Sequence, residues 1–103
     1  MIETFEKLLA AGRDDALLRY SLGNAYLKAQ DFPRAVEHFR AAVHHDDRYS
    51  AAWKGLGQAL VGAQLPVDAA AAFERGIEVA EAKGDIQAAK EMKVFLKRLA
   101  VDP

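Results

Sequence analysis

The decisive stretch of the chain covers residues 16–49 and reads ALLRYSLGNAYLKAQDFPRAVEHFRAAVHHDDRY. The block that follows it, residues 50–83, has the same length and reads SAAWKGLGQALVGAQLPVDAAAAFERGIEVAEAK. A shift of 34 residues aligns Leu22 with Leu56, Gly23 with Gly57, Ala25 with Ala59, Ala35 with Ala69, and Phe39 with Phe73. Each aligned pair falls on the apolar face of a predicted helix, which indicates one structural unit used twice.

Helices account for the whole pattern. Alanine and leucine dominate, there is a single threonine, and no run alternates as a strand would. The predicted helical segments cover about residues 2–11, 16–30, 33–45, 51–63, 67–83 and 86–100. Gly12 and Gly84 are suitable C-terminal caps. Asp14 or Asp15 can cap the second segment, and Ser50 and Asp85 are suitable N-terminal caps. The connections are short, so successive helices are expected to pack antiparallel in one all-α domain.

The period and the residues that recur in it resemble those of the tetratricopeptide repeat family. The matching residues are Leu22, Gly23, Tyr26, Ala35, Phe39 and Ala42 in the first unit, and Trp53, Leu56, Gly57, Ala69, Phe73 and Gly76 in the second. The resemblance implies antiparallel helical hairpins stacked as a short right-handed superhelix. It divides the chain into an N-terminal cap helix (1–13), repeat one (16–49), repeat two (50–83) and a C-terminal cap helix (85–101).

Some positions depart from the family pattern. Arg19 stands where the family has a large aromatic residue, Leu60 replaces its tyrosine, and Asp47 and Glu81 replace its closing proline. Small residues are expected where helices approach closely, with Gly23 and Gly57 facing Ala35 and Ala69. The rings of Phe39 and Phe73 would fill the space between one unit and the next.

In this family the first helix of each unit lines a concave groove that receives a protein or peptide partner. Helical spacing places Leu17, Tyr20, Ser21, Asn24, Leu27 and Lys28 on one stripe, and Ala51, Lys54, Gly55, Gln58, Val61 and Gly62 on the equivalent stripe. Of these, the residues predicted to bind the partner are Leu17, Tyr20, Asn24, Leu27, Lys28, Lys54, Gln58 and Val61. Amides suit a peptide backbone and lysines suit a carboxylate. A plain solvated surface is the alternative.

One known use of such grooves is not expected here. Some family members grip a terminal carboxylate with basic and amide residues spread over three units. Only Asn24 matches that set, because Tyr20, Gly55, Asp85 and Ala89 occupy its other positions.

The last helix carries an apolar stripe of its own, formed by Ala88, Ala89, Met92, Phe95, Leu96 and Leu99. Packing of this stripe on the fifth segment, as a rotated cap, is the simpler interpretation. The alternatives are that the helix folds across the groove, or that it self-associates into a weak homodimer through Met92, Phe95, Leu96 and Leu99.

Composition narrows the function classes. Hydrophobic residues make up 51%, charged residues 28%, and the net charge is -1, which predicts a soluble protein that binds neither nucleic acid nor membrane. Cysteine is absent and the N-terminus lacks an apolar leader, so a cytoplasmic location is expected. His38, His44 and His45 are interpreted as exposed and without metal. No residue pattern suggests a cofactor, and no set of acid, base and nucleophile suggests an enzyme.

Overall fold

The computed structural model describes the backbone of residues 1–101 and the side chains of residues 1–100. Its helices are α1 (Ile2–Ala10), α2 (Ala16–Lys28), α3 (Phe32–His45), α4 (Ser50–Gly62), α5 (Pro66–Lys83) and α6 (Ile86–Val101). The described part of the chain contains no strand. The prediction of an all-α helical repeat fold is confirmed.

Capping side chains explain where several helices begin. The Asp15 carboxylate accepts a hydrogen bond from the Leu18 N–H at 2.8 Å, and Asp85 accepts one from the Ala88 N–H at 3.2 Å. Ser50 was predicted to cap α4, and this is wrong: Ser50 lies inside the first turn, and Tyr49 precedes it without a capping hydrogen bond. The Ser50 hydroxyl lies 3.3 Å from Asp85 Oδ2 instead, linking α4 to the start of α6.

A residue with left-handed backbone conformation follows the end of α2, and another follows the end of α4. Gln30 and Gln64 have φ values of 61° and 64°, so α2 stops two residues before the predicted end at residue 30. The next N–H reaches back across the turn, from Asp31 to the Tyr26 carbonyl and from Leu65 to the Leu60 carbonyl, each at 2.9 Å. These closing bonds turn the chain sharply into α3 and α5.

Two phenylalanine rings form the centre of the core. Phe39 of α3 is fully buried, and its ring occupies the space that a Cβ at Gly23 of α2 or Gly55 of α4 would enter. Phe73 of α5 takes the same place against Gly57. The atoms nearest to a Cβ at Gly23 and Gly57 are thus those of the two rings, while Ala35 and Ala69 are fully buried in the same core. The expectation that Phe39 bridges successive units agrees with its contacts to both α2 and α4.

The helices form two rows that are spaced differently. Cα atoms of α2 and α4 approach within 8 Å of one another, and so do those of α4 and α6. Over the described residues no Cα atoms of α3 and α5 approach so closely, and a long ion pair, Arg40 to Asp68 at 3.9 Å, joins these two helices. A stack with such spacing curves toward its closer row, so α2, α4 and α6 line the inner, concave side.

Candidate functional site

The concave face presents side chains of α2 and α4 at equivalent positions. Leu17 is 59% exposed and Val61 is 44% exposed, while Asn24 and Gln58 are half exposed one repeat period apart. Lys28 is exposed at the end of α2. Leu27, also predicted for the groove, is half buried and packs against the core, as Tyr20 does.

Two glycines of the predicted stripe do not belong to this face. Gly55 is buried against the Phe39 ring, and a Cβ added to Gly62 would meet the Phe32 ring. Both rings belong to α3, the helix that precedes α4 in the chain and packs against it. The groove floor on α4 is consequently narrower than the helical period alone indicated.

Tyr20 is held in place by aromatic neighbours. Its ring centroid lies 5.0 Å from that of Tyr49 and 5.9 Å from that of Phe39, and both pairs are tilted. These contacts come from outside α2, so Tyr20 offers a partner a rigid surface in the concave face.

The ammonium group of Lys54 already has an ion-pair partner within the protein. Its ammonium lies 3.0 Å from a carboxylate oxygen of Glu91 on α6, and this hydrogen bond holds the pKa of Glu91 below its ordinary value. The sequence pattern did not reveal the pair, because Lys54 and Glu91 lie 37 residues apart on helices that do not follow each other directly. Lys28 has no ion pair within the described residues.

A pocket opens where the N-terminal helix meets α2. This α1/α2 pocket has a volume of about 610 Å³. It is lined by Met1, Ile2, Glu3, Phe5, Tyr20, Ser21, Asn24, Ala25 and Lys28. From the sequence, α1 was interpreted only as a cap. The apolar residues Ile2 and Phe5 were nevertheless a signal that this helix forms a wall beside α2.

A second groove lies at the other end, between α5 and α6. It has a volume of about 650 Å³ and includes Val67, Ala70, Leu96 and Leu99 in its lining. Two residues of the predicted self-association set are placed differently. Met92 is fully buried with its sulfur against Gly76, so it is not available to a second copy. Phe95 is half buried and stacks on Phe73 with centroids 5.4 Å apart.

A polar network joins the first three helices. The Tyr26 hydroxyl donates to Glu6 of α1 at 2.6 Å, and the Tyr26 ring stacks on His38 of α3 with centroids 5.4 Å apart. His38 Nδ1 lies 3.0 Å from the Arg19 guanidinium, which also pairs with Asp14 at 2.8 Å. Arg19, which departs from the family pattern, therefore provides a hydrogen-bond partner for the buried imidazole of His38.

The network corrects the interpretation of the histidines. His38 is only 3% exposed, so the prediction that all three are exposed is wrong for it. Burial lowers the pKa of His38 below its ordinary value, because the charged imidazolium loses its hydration. His45 is exposed and contacts Asp14 at 2.9 Å, and hydrogen bonds from Arg19 and His45 lower the pKa of that carboxyl.

In the part of the chain that the structure describes, no three His, Cys, Asp or Glu side chains are grouped closely enough to hold a metal ion. No helix within residues 1–101 has both the length and the apolar character needed to cross a membrane.

Stacked antiparallel hairpins with a concave inner row define a short helical-repeat protein. The family model described as Tetratricopeptide repeat matches residues 2–47 and again residues 20–86. The chain is 50% identical over 99 residues to the TPR repeat-containing protein PA0015 of Pseudomonas aeruginosa, covering 96% of this chain and 94% of that relative. The chain therefore belongs to the tetratricopeptide repeat family, as its residues predicted.

Solved structures agree with this assignment. The solution structure of protein BPP2914 from Bordetella parapertussis is 43% identical, with a TM-score of 0.86 over 99% of this chain and 89% of that one. The solution structure of a tetratricopeptide repeat domain protein from Salinibacter ruber is 26% identical, with a TM-score of 0.79 over 87% of this chain and 91% of that one. Proteins of this family generally serve as non-enzymatic scaffolds that bind other proteins.

Proposed function

We propose that this chain binds an extended segment of a partner protein along the concave face formed by α2 and α4. The observation that carries the proposal is the pair of half-exposed amides, Asn24 and Gln58, which occupy the same position in successive hairpins of that face. An amide can both donate to and accept from a peptide backbone, so amides one repeat apart suit an extended chain.

Neighbouring side chains support this use of the face. Leu17 and Val61 expose apolar surface beside the amides, and Tyr20 is fixed by Phe39 and Tyr49. A rigid aromatic surface next to polar groups binds with little loss of side-chain entropy. Because Lys54 is paired with Glu91, the middle of the groove does not select an acidic partner.

The test begins with peptides selected from a random displayed library against the folded protein. A selected peptide is then titrated into the isotope-labelled protein, and amide chemical shifts are followed. We expect shifts at Asn24 and Gln58, and a loss of affinity of about thirtyfold in the double variant Asn24→Ala, Gln58→Ala, since each amide hydrogen bond contributes about 1 kcal/mol.

The matched control is Glu37→Ala, Glu78→Ala, which removes two exposed side chains from the outer helices α3 and α5. It should leave affinity unchanged. Peptides whose shifts map only to α3 and α5, and whose affinity is the same in the amide double variant, would contradict binding on the concave face.

Self-association is the second candidate, and the α5/α6 groove is the observation that favours it. Val67 is 81% exposed beside the partly buried Leu96 and Leu99, so a second copy could cover aliphatic surface there. Sedimentation equilibrium tests this candidate: a dimer that dissociates in Val67→Lys supports it, and a monomer at millimolar concentration contradicts it.

A further inference from the structure

The outer side of the stack carries a groove between α3 and α5. Two cavities of about 450 and 330 Å³ lie there, and they share the lining residues Arg40, Trp53, Leu56 and Arg75. Because these residues belong to both cavities, the two form one continuous depression, which we call the α3/α5 groove. Its lining includes none of the side chains predicted to bind a partner on the concave face, so it is a separate surface.

The floor of the groove is apolar and held in place by the core. Leu56 is 3% exposed, and Trp53 is half buried beside Gly76 of α5. The Trp53 indole N–H donates a hydrogen bond to the Asp47 carbonyl at 2.8 Å, which fixes the orientation of the ring. An aromatic surface that is already ordered loses little entropy when a ligand covers it.

Each wall of the groove carries one arginine. Arg40 of α3 lies 3.9 Å from Asp68, and Arg75 of α5 lies 4.0 Å from Asp47. All four side chains are about half exposed or more, and both distances are too long for a hydrogen bond. Ion pairs with such exposure and geometry contribute little to stability, so a ligand can displace them.

The donors of these two arginines are available to a ligand. In the part of the chain that the structure describes, the arginine side chains that donate hydrogen bonds are those of Arg13, Arg19 and Arg34. The guanidinium groups of Arg40 and Arg75 keep their N–H donors for water or for a ligand in the groove.

The carboxylates beside the arginines decide which anion can compete. A ligand with a single negative charge would only replace Asp47 or Asp68, and it would gain little by doing so. A phosphate monoester carries a charge of about −1.5 to −2 at pH 7 and has three acceptor oxygens. It can therefore pair with both guanidinium groups, each of which has the fork geometry that suits phosphate.

We propose that the α3/α5 groove binds the side chain of a phosphotyrosine in a partner protein. The phosphate group lies between Arg40 and Arg75, and the ring that carries it covers the apolar surface of Trp53 and Leu56. A phosphorylated serine has no ring to cover this floor. The site goes beyond the proposed function, because it uses the outer helices and does not require a segment on the concave face.

Small aryl compounds test the chemistry of the site. Trp53 is the only tryptophan of the chain, so its fluorescence reports binding at the floor without a label. Phenyl phosphate, phenyl sulfate and inorganic phosphate are titrated separately at constant ionic strength and about pH 7.5, where the phosphate is mostly a dianion. Phenyl sulfate has the same shape with a single charge, and inorganic phosphate lacks the ring.

We expect phenyl phosphate to bind about tenfold more tightly than either of the other two compounds, as for an additional charge-assisted hydrogen bond and a covered aromatic surface. Affinity equal to that of phenyl sulfate would overturn the proposal, because the second charge would then have no effect. Affinity equal to that of inorganic phosphate would show an adventitious ion only and would overturn it as well.

A peptide then tests the source of the aryl phosphate. An acetylated and amidated glycine-serine peptide with one phosphotyrosine should shift the signals of Arg40, Trp53 and Arg75 in the isotope-labelled protein. The same peptide with tyrosine or phosphoserine should bind about tenfold more weakly. Binding of the phosphoserine peptide or of adenosine monophosphate that is as tight as that of the phosphotyrosine peptide would overturn the assignment, and so would the absence of these shifts.

Variants at exposed positions test the residues. Arg40→Gln and Arg75→Gln should each weaken phenyl phosphate binding about tenfold. The matched control Arg34→Gln, at an exposed arginine of α3 outside the groove, should leave it unchanged. Asp68→Asn should tighten binding, because it removes a competing carboxylate. Thermal unfolding verifies that each variant is folded. A preference for phenyl phosphate over phenyl sulfate that survives in the double variant Arg40→Gln, Arg75→Gln would overturn the proposal.

Discussion

The hydroxyl of Tyr26 on α2 donates a hydrogen bond to the carboxylate of Glu6 on α1 at 2.6 Å. The N-terminal helix has no fully buried residue, so this bond and the half-buried Ile2, Phe5 and Leu9 hold it in place. Because α1 forms one wall of the α1/α2 pocket, the contact that docks the helix also maintains the pocket.

We therefore expect Tyr26→Phe to destabilise the protein by about 1–2 kcal/mol, as for a lost hydrogen bond to a charged acceptor. The amide protons of α1 should exchange faster by a larger factor than those of α4. Hydrogen exchange followed by mass spectrometry checks both statements. Equal acceleration in α1 and α4 would contradict the tether, because it would indicate a global effect.

The same bond predicts a pH dependence at the alkaline end. Glu6 raises the pKa of Tyr26 in the folded state, so folding favours the protonated phenol. The contribution is present below the ordinary value of 10.0 and is lost as pH rises through the higher folded value. Urea titrations across this range should show a steeper loss of stability in the native protein than in Tyr26→Phe.

The burial of His38 predicts a second pH dependence of the unfolding free energy, this time at the acidic end of the range. Its pKa is lower in the folded state, so stability is complete above the ordinary value of 6.5 and falls as acid protonates the unfolded chain. Among nearby charges, the carboxylates of Glu37, Glu6 and Asp14 favour the imidazolium and the Arg19 guanidinium disfavours it, and the loss of hydration remains the largest influence on this pKa. We expect unfolding free energy to fall between about pH 7.5 and 5.5, and to fall less in His38→Gln.

His44→Gln is the control for this measurement, since His44 is exposed on the same helix. It should retain the slope of the native protein. If His38→Gln retained that slope as well, another group would be responsible for it.

Close approach of α4 to the Phe39 ring predicts the effect of Gly55→Ala. Alanine favours a helix by about 1 kcal/mol over glycine, but its Cβ would overlap the fully buried ring, and overpacking costs about 1–3 kcal/mol. We expect net destabilisation in urea unfolding, and recovery when Phe39→Leu is added. Gly62→Ala should cost less, because the Phe32 ring it meets is half exposed and can shift.

The burial of Met92 predicts a packing role for α6. Met92→Ala should lower stability by about 2–4 kcal/mol, whereas Val94→Ala, at a position 49% exposed, should change it by less than about 0.5 kcal/mol. The loss should be the same at every protein concentration in thermal unfolding. A loss that grows on dilution would place Met92 in an interface between copies instead.

Particular residues show how far the sequence alone could predict this molecule. The spacing of Gly23 and Gly57, with Phe39 and Phe73, predicted the helical repeat and its family correctly. The polar loops predicted the Asp85 cap correctly and narrowed the cap of α2 to Asp14 or Asp15, of which Asp15 is the one used, because capping depends on residues within one turn. The prediction that Ser50 caps α4 was wrong, because its hydroxyl donates a hydrogen bond to the carboxylate of Asp85, which is distant in the sequence.

The groove residues show what helical periodicity leaves unspecified. The period placed Tyr20, Asn24 and Gln58 on one stripe, and all three are partly exposed, but it also included Gly55 and Gly62, which face rings of α3. Periodicity describes directions around one helix. It does not give the rotation of that helix against its neighbours, which depends on how side chains from several helices pack together.

The two-unit helical repeat and its apolar face were thus determined by the sequence by itself, because they follow from local propensity and a fixed period. The tertiary structure alone decided which polar groups are available. It buried His38 beside Arg19 and paired Lys54 with Glu91, while Lys28, beside the wall formed by α1, has no ion pair with any residue that the structure describes. These outcomes depend on distances between side chains far apart in the chain, and such distances exist only once the helices have packed.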